Sequence, residues 1–239
     1  MSATIDSAMV MAAGLGKRMR PLTATRPKPL VRVAGKPLID HAFERIADAG
    51  IGHVVVNVHY LADALEAHLK GGNWPFAIET SDERAALLET GGGLVKAEPL
   101  LRGDPILCAN SDNIWTDGPR NAIDLLAERW DDAGMDALLL VVPQARANGH
   151  GGRGDFHMDK LGRLTRRQPG KIAPFVFTGV QLFSRRLLAD PPEGAFSTMV
   201  FWERAIAKGR LFGMSHGGDW FDVGSPASIP MVEAALSEV

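Results

Sequence analysis

The sequence predicts an α/β fold with a mostly parallel central sheet and helices on both faces. Three observations predict it. Short apolar runs recur along the chain, stretches with apolar residues at helical spacing lie between them, and the first run leads directly into a glycine-rich basic loop, AAGLGKRMRPLTATRPKPL. Apolar runs of this kind suit strands buried on both faces, and the intervening helices supply the crossovers that parallel strands require.

In chain order, Ala8–Ala12 reads as the first strand and Pro37–Ala49 as a helix closed by Gly50. Pro37 suits a first helical turn, and Leu38, Ala42, Ile46 and Ala49 share one apolar face. A strand at Val54–Val58, a helix at Leu61–Leu69 and strands near Phe76–Thr80 and Ile106–Ala109 follow. The stripe Ile123, Leu126, Ala127 and Trp130 marks a helix near Asn121–Trp130, and Ala137–Val142 is the next strand. After Pro143 the glycines 149, 151, 152 and 154 loosen the pattern, leading into an antiparallel excursion over Phe156–Arg167 and a strand at Phe175–Phe183. Met199, Trp202 and Ile206 mark a helix, Leu211–Met214 a strand and Pro226–Leu236 a closing helix. Such alternation is Rossmann-like and places ligands at the carboxyl ends of the strands. With 239 residues, 46% of them hydrophobic, and no low-complexity linker, the chain reads as a single domain spanning 1–239.

A formal charge of −2 argues against nucleic acid as the partner, and no apolar run approaches membrane-spanning length. Met1 to Asp6 lacks a basic start and an apolar run, so a cytoplasmic protein is expected. Cys108 is the sole cysteine, and its neighbours Ile106 and Leu107 mark it as a reduced core thiol rather than a nucleophile. The oligomeric state is not encoded in any of these features.

Between Asp6 and Asp40 there is no acidic residue, yet Lys17, Arg18, Arg20, Arg26, Lys28, Arg32 and Lys36 surround Gly14, Gly16, Pro21, Pro27 and Pro29. Glycines let main-chain N–H groups approach phosphate oxygens, prolines stiffen the loop, and the cations neutralise several charges held together. This is a polyphosphate cradle of neither common kind. A P-loop would need glycine at Met11 and Ser or Thr at Arg18, and a dinucleotide loop would need glycine at Met19 and a later acidic ribose ligand where Leu30, Val31 and Arg32 stand. A nicotinamide oxidoreductase therefore loses its main support.

Gly14, Gly16, Arg18, Pro21 and Thr23, followed by Pro27, Lys28 and Pro29, instead resemble the signature of the sugar nucleotidyltransferases, G-x-G-x-R-x-x-P-x-T and then P-K-P. The resemblance implies a GT-A-like nucleotidyltransferase fold, with about 1–142 binding nucleotide and about 143–239 binding sugar and closing the domain. It implies that a nucleoside triphosphate and a sugar 1-phosphate give an NDP-sugar and pyrophosphate, with Mg²⁺ as cofactor. Arg18 and Lys28 would be catalytic, and Ala12, Ala13, Gly14, Gly16 and Lys17 would line the nucleotide site. In Leu88–Gly93, which resembles the family's base-binding turn, Gly91 and Gly92 would admit the base, with Glu89 either beside it or capping a helix.

Asp112, just beyond a buried strand, and Asp222, in Trp220-Phe221-Asp222-Val223-Gly224-Ser225, match the family's two metal aspartates. By spacing alone Asp112 reads first as a turn or helix-capping acid, and Asp222 equally as a helix-entry acid at a surface turn. Ser111 replaces the family's usual glycine before the first aspartate. Asn110, Asn113, Gly152, Arg153, Thr178 and Gly179 fall where the sugar would lie. Arg167-Gln168-Pro169 replaces the usual Glu-Lys-Pro sugar contact, leaving Lys171 to compensate. LETGGG, the His150–Phe156 stretch and Phe177-Thr178-Gly179 are most similar to members that join UTP to N-acetylmuramate 1-phosphate in peptidoglycan recycling. Arg153 would then grip the lactyl carboxylate or merely pin its glycine-rich loop. The alternatives are a mannose 1-phosphate guanylyl-, glucose 1-phosphate uridylyl- or thymidylyltransferase, or a non-catalytic nucleotide-sugar sensor favoured by Ser111.

Overall fold

The computed structural model describes residues 2–237. The first half contains strands β1 (Ala8–Met11), β2 (Arg32–Val33), β3 (Lys36–Pro37), β4 (His53–Val58), β5 (Ala77–Asp82), β6 (Ile106–Asn110) and β7 (Asn113–Trp115). With them come helices α1 (Leu38–Asp48), α2 (Ala62–Gly71), α3 (Glu89–Ala97) and α4 (Ala122–Arg129). The second half adds β8 (Ala137–Pro143), β9 (Ala147–Asn148), β10 (Phe156–Met158), β11 (Leu164–Arg166), β12 (Phe175–Phe183), β13 (Leu211–Ser215) and β14 (Trp220–Asp222), with helices α5 (Met199–Ala207) and α6 (Ile229–Leu236).

A nine-stranded sheet forms the centre, in the order β11-β10-β12-β6-β1-β4-β5, with β8 also on β12 and β13 on β8. β1 pairs in parallel with β4 and β6, β4 with β5, and β8 with β13. The exceptions are β12, antiparallel to both β6 and β8, and the β10–β11 hairpin, whose β10 is antiparallel to β12. The chain enters β12 from the β10–β11 hairpin rather than through a crossover helix, so nothing forces it to run with its neighbours. The antiparallel excursion therefore extends the main sheet.

Both faces of the sheet are covered. Val10, Val54, Val56, Leu138 and Leu140 face α1, α2 and α4, whereas Met9, Val55, Cys108, Leu139 and Val141 face α3 and α5. Burial pushes the Cys108 thiol up to about 12, which leaves it an unreactive core group. Helix α1 begins at Leu38, and Pro37 lies just before it with ψ 143, still paired in the β2–β3 ribbon. The closing helix starts as a 3₁₀ turn, Pro226–Ser228, set by a capping box between Ser225 and Ser228. Among the described residues no helix is long and apolar enough to cross a membrane.

A small sheet, β7-β14-β9, carries the carboxyl end of the chain back to the tip of β6. His216 braces it, with Nε2 at 3.1 Å from the Thr116 carbonyl and 3.2 Å from that of Asp219. Burial lowers the pKa of His216, and of His41, from the ordinary 6.5. The fold disfavours their protonation, whereas the unfolded chain takes up protons near that value, so their stabilisation is present above about 6.5 and lost as pH falls from there through the lowered folded values. Thermal denaturation should show Tm falling between about pH 7 and 5.5, with a shallower slope for His216→Gln.

Candidate active site

The basic loop leaves β1 at the carboxyl edge of the sheet. Gly16 has φ +59, and a Cβ there would lie 3.0 Å from both Lys28 Cβ and Thr23 Cγ2. The buried Thr23 hydroxyl donates to the Gly16 carbonyl at 2.8 Å, and Tyr60 donates to the Thr23 carbonyl at 3.0 Å. Gly16 is needed here because the left-handed turn and the close packing on Thr23 and Lys28 both exclude a side chain. The turn leaves the main-chain N–H groups of Gly14, Leu15, Gly16, Lys17 and Arg18 without a protein acceptor among the described residues, an arrangement suited to an anion.

The amides of Ala12 and Ala13 are engaged otherwise. Both donate to Asn57 Oδ1, at 2.6 and 3.2 Å, so they anchor the loop and are not available to a phosphate. Asn57 Nδ2 donates in turn to Glu83 Oε1 at 2.7 Å.

Lys28 is 8% exposed, and its Nζ lies 2.6 Å from Asp112 Oδ2. Asp112 follows β6 directly. Ser111, where the family has glycine, keeps an ordinary backbone, and its hydroxyl donates to the Met11 carbonyl at 2.8 Å. The serine therefore ties β6 to β1 and leaves the path of the loop intact, which removes the support for a sensor. One residue beyond, Asn113 pairs with Asp222 across β7 and β14, bringing the two acidic segments together. A Cβ built on Gly224 would meet Arg18 Nη1 at 2.9 Å and Asp222 Oδ1 at 3.3 Å, so the loop guanidinium and the late carboxylate flank the same glycine. His150 Nδ1 is 3.8 Å from Asp222 Oδ2.

A cavity of about 390 Å³ runs between Ala12–Gly14, Asn57, Glu89, Thr90 and Asn110. A second, of about 360 Å³, continues it along Gly14–Met19 to Gly224. Lys28 and Asp112 line both and stand where the two meet.

The glycines after Glu89 pack against another part of the chain. The Gly91 and Gly92 amides donate to the Phe196 carbonyl at 2.8 and 3.2 Å, and a Cβ on Gly91 would lie 2.5 Å from the Phe196 ring. They let α3 pack on the Gly194–Phe196 segment and do not line the cavity. Glu89 does line it, with φ +58 at the first turn of α3.

The expected sugar residues divide. Asn110 lines the cavity, and Asn113 is buried beside it. Gly179 has φ +88, and a Cβ there would meet Asn113 Nδ2 at 2.2 Å and Asn110 Nδ2 at 2.9 Å. Gly179→Ala should therefore displace both amides and lower Tm by roughly 5 °C or more, readable by calorimetry. The Thr178 hydroxyl is fully buried and donates to the Leu140 carbonyl at 2.8 Å. Arg153 donates to the Gly170 carbonyl at 3.2 Å, and the Gly152 carbonyl accepts from Gln144 at 2.9 Å. Arg153 thus has the loop-pinning contact. Arg167 likewise holds the Gly154 carbonyl at 2.8 Å and the Lys171 carbonyl at 3.2 Å.

Residues 7–152 match the nucleotidyl transferase family model. The chain belongs to this family. As a nucleotidyl transferase it is 43% identical, over the full length of both chains, to N-acetylmuramate alpha-1-phosphate uridylyltransferase of Caulobacter vibrioides. It is 34% identical to the protein of that name from Neisseria meningitidis serogroup B, over 95% of this chain and 96% of the relative. A UDP-glucose pyrophosphorylase crystallised with UDP-glucose shares the fold with TM-score 0.81 at 13% identity, covering 98% of this chain and 99% of its own. An inositol-1-phosphate CTP transferase from T. maritima does so with TM-score 0.79 at 16% identity, over 100% and 97%. The protein is an enzyme of the sugar-1-phosphate nucleotidyltransferase type.

Asn57 and Glu83 escaped sequence reasoning. A polar Asn57 inside the run Val54–Val58 was the available signal for the first. Glu83, in an exposed-looking SDER stretch, offered none.

Proposed function

We propose that the protein transfers the uridylyl group of UTP to N-acetylmuramate 1-phosphate in the cytoplasm, as a step of peptidoglycan recycling. The full-length likeness to two uridylyltransferases supports the choice of substrates. The observation that carries the chemistry is the pairing of Lys28 with Asp112 where two cavities meet, with Arg18 lining the second cavity and flanking Gly224 together with Asp222.

The sugar phosphate oxygen attacks the α-phosphorus in line, a P–O bond to the sugar phosphate forms, and the bond to the β-phosphate oxygen breaks as pyrophosphate leaves. The attacking oxygen is already anionic, so no general base is needed. The obstacle is repulsion between two polyanions, which fixed donors and cations reduce. The free amides of Gly14–Arg18 would hold the β and γ phosphates, aided by Lys17 and the Arg18 guanidinium. Lys28 would turn from Asp112 to bridge the α-phosphate and the sugar phosphate.

Mg²⁺ fits the donor set. Asp112 and Asp222 are hard oxygen ligands from adjoining segments, and among the described residues no cluster of three or more His, Cys, Asp or Glu side chains forms a complete protein cage. One or two carboxylates are what Mg²⁺ takes from a protein when phosphate and water complete its shell. When bound, the ion would offset charge growing on the α-phosphate.

The test is a matrix of nucleoside triphosphates against sugar 1-phosphates with Mg²⁺, read as pyrophosphate release and product mass. UTP with N-acetylmuramate 1-phosphate should give the highest kcat/KM. Preference for glucose, N-acetylglucosamine or mannose 1-phosphate would overturn the substrate assignment.

A further inference from the structure

Among the described residues Glu83 is the one acidic side chain with no exposed surface, and the mechanism above does not use it. Its two oxygens serve opposite walls of the cavity. Oε1 accepts from Asn57 Nδ2 at 2.7 Å, and Asn57 Oδ1 holds the Ala12 and Ala13 amides at the root of the phosphate loop. Oε2 accepts from the Leu88 amide at 3.1 Å, and the Leu88 carbonyl accepts from Phe196 N at 3.2 Å. Both main-chain groups of Leu88 are therefore fixed immediately before Glu89, whose φ of +58 a non-glycine residue keeps only when its surroundings impose it. The third glycine of the TGGG run makes room for this relay. A Cβ on Gly93 would lie 2.8 Å from Glu83 Oε1 and 3.1 Å from Asn57 Nδ2.

We infer that Glu83, through Asn57, is a positioning residue that holds the phosphate loop and the Leu88–Glu89 turn at the separation a nucleoside triphosphate requires. The inference rests on the nucleotidyl-transfer reading of the cavity. Each of these hydrogen bonds is directional, and those between Asn57, Glu83 and the loop amides are buried, so a bond lost there shifts the groups it joins rather than being made good by water.

The pair has an inverse that keeps every bond. With Asn57→Asp and Glu83→Gln together, residue 57 still accepts from Ala12 and Ala13, residue 83 donates to it through the new amide, and the remaining Gln oxygen accepts from Leu88. Each single change breaks the relay. Asn57→Asp sets two carboxylates against each other, and Glu83→Gln turns an amide donor onto either the Asn57 amide or the Leu88 N–H, so one of the two bonds is lost in either orientation while Asn57 cannot flip without abandoning the loop.

The experiment measures KM for UTP and for the sugar 1-phosphate, and the Kd of UTP with Mg²⁺ by calorimetry, in wild type, both single variants and the double variant. Each single variant should raise the UTP KM and Kd about tenfold or more while the sugar KM stays within about twofold, and the double variant should return both UTP values to within about threefold of wild type. Single variants that keep the UTP Kd within about twofold, that raise both KM values alike, or that the double variant fails to rescue would overturn the proposal. Should a single variant not fold, the double variant decides alone: folded with near wild-type UTP affinity supports the relay, and unfolded refutes it. Wild type that releases no pyrophosphate with any substrate pair would refute the transfer reading, and the calorimetric Kd would still judge the relay.

Discussion

Replacing Lys28 with alanine is expected to lower kcat by about two to three orders of magnitude, the usual cost of removing one preorganised donor from developing charge. The ammonium is almost wholly enclosed, stands where the two cavities meet, and in the free protein rests on Asp112 at 2.6 Å. Its stem packs beside Gly16, so the charge is delivered to a fixed point rather than swung in from solvent. Arginine should not rescue it, because a planar fork is larger than the site of a compact ammonium. The fold should survive, since the Asp112 side chain is 31% exposed and water can solvate the carboxylate that loses its partner. Turnover with both substrates saturating, beside circular dichroism, checks this, and near-normal kcat would remove Lys28 from the catalytic group.

Asp112→Asn has the second large effect. The amide oxygen can still accept from Lys28, so packing and loop geometry should persist, but the negative charge that would hold Mg²⁺ is gone. Turnover should fall by about a hundredfold or more, as expected when several kcal/mol of charge stabilisation are lost. The Mg²⁺ concentration giving half-maximal rate should rise, and Asp222→Asn should move it the same way. A rate loss with unchanged Mg²⁺ dependence would mean that Asp112 serves only to orient Lys28.

The strands and helices that are buried on both sides were legible because their apolar runs or stripes leave few other folds open. Phe175–Phe183 emerged with its boundaries intact, since nine residues of nearly continuous apolar character can be little else. The direction of that strand was not legible, because it depends on the hairpin that precedes it. The two-residue strands β2, β3 and β9 were missed for a related reason: they are held by tertiary pairing and carry no periodicity of their own.

At the site, some glycines are required by the backbone itself. Gly16 and Gly179 occupy left-handed turns that also sit against neighbouring side chains. Gly91 and Gly92 show the reverse case, because glycine can permit approach by a ligand or by another part of the chain, and here Phe196 fills the space at Gly91 and the Gly194 carbonyl and Leu88 fill it at Gly92. Thr178 and Arg153 could not be placed by sequence because their roles depend on which way a side chain turns. Ala12 and Ala13 depended on an acceptor, Asn57, far along the chain.

The effects of Lys28→Ala and Asp112→Asn both depend on the basic loop and two remote aspartates forming one anion-and-metal pocket. Crystals soaked with Mn²⁺ and a non-reacting UTP analogue test it most directly, through the anomalous signal of the ion. One peak bridged by the Asp112 and Asp222 carboxylates is expected, with the triphosphate on the amides of Gly14–Arg18. A peak away from those carboxylates, or a triphosphate that leaves the loop amides free, would contradict it.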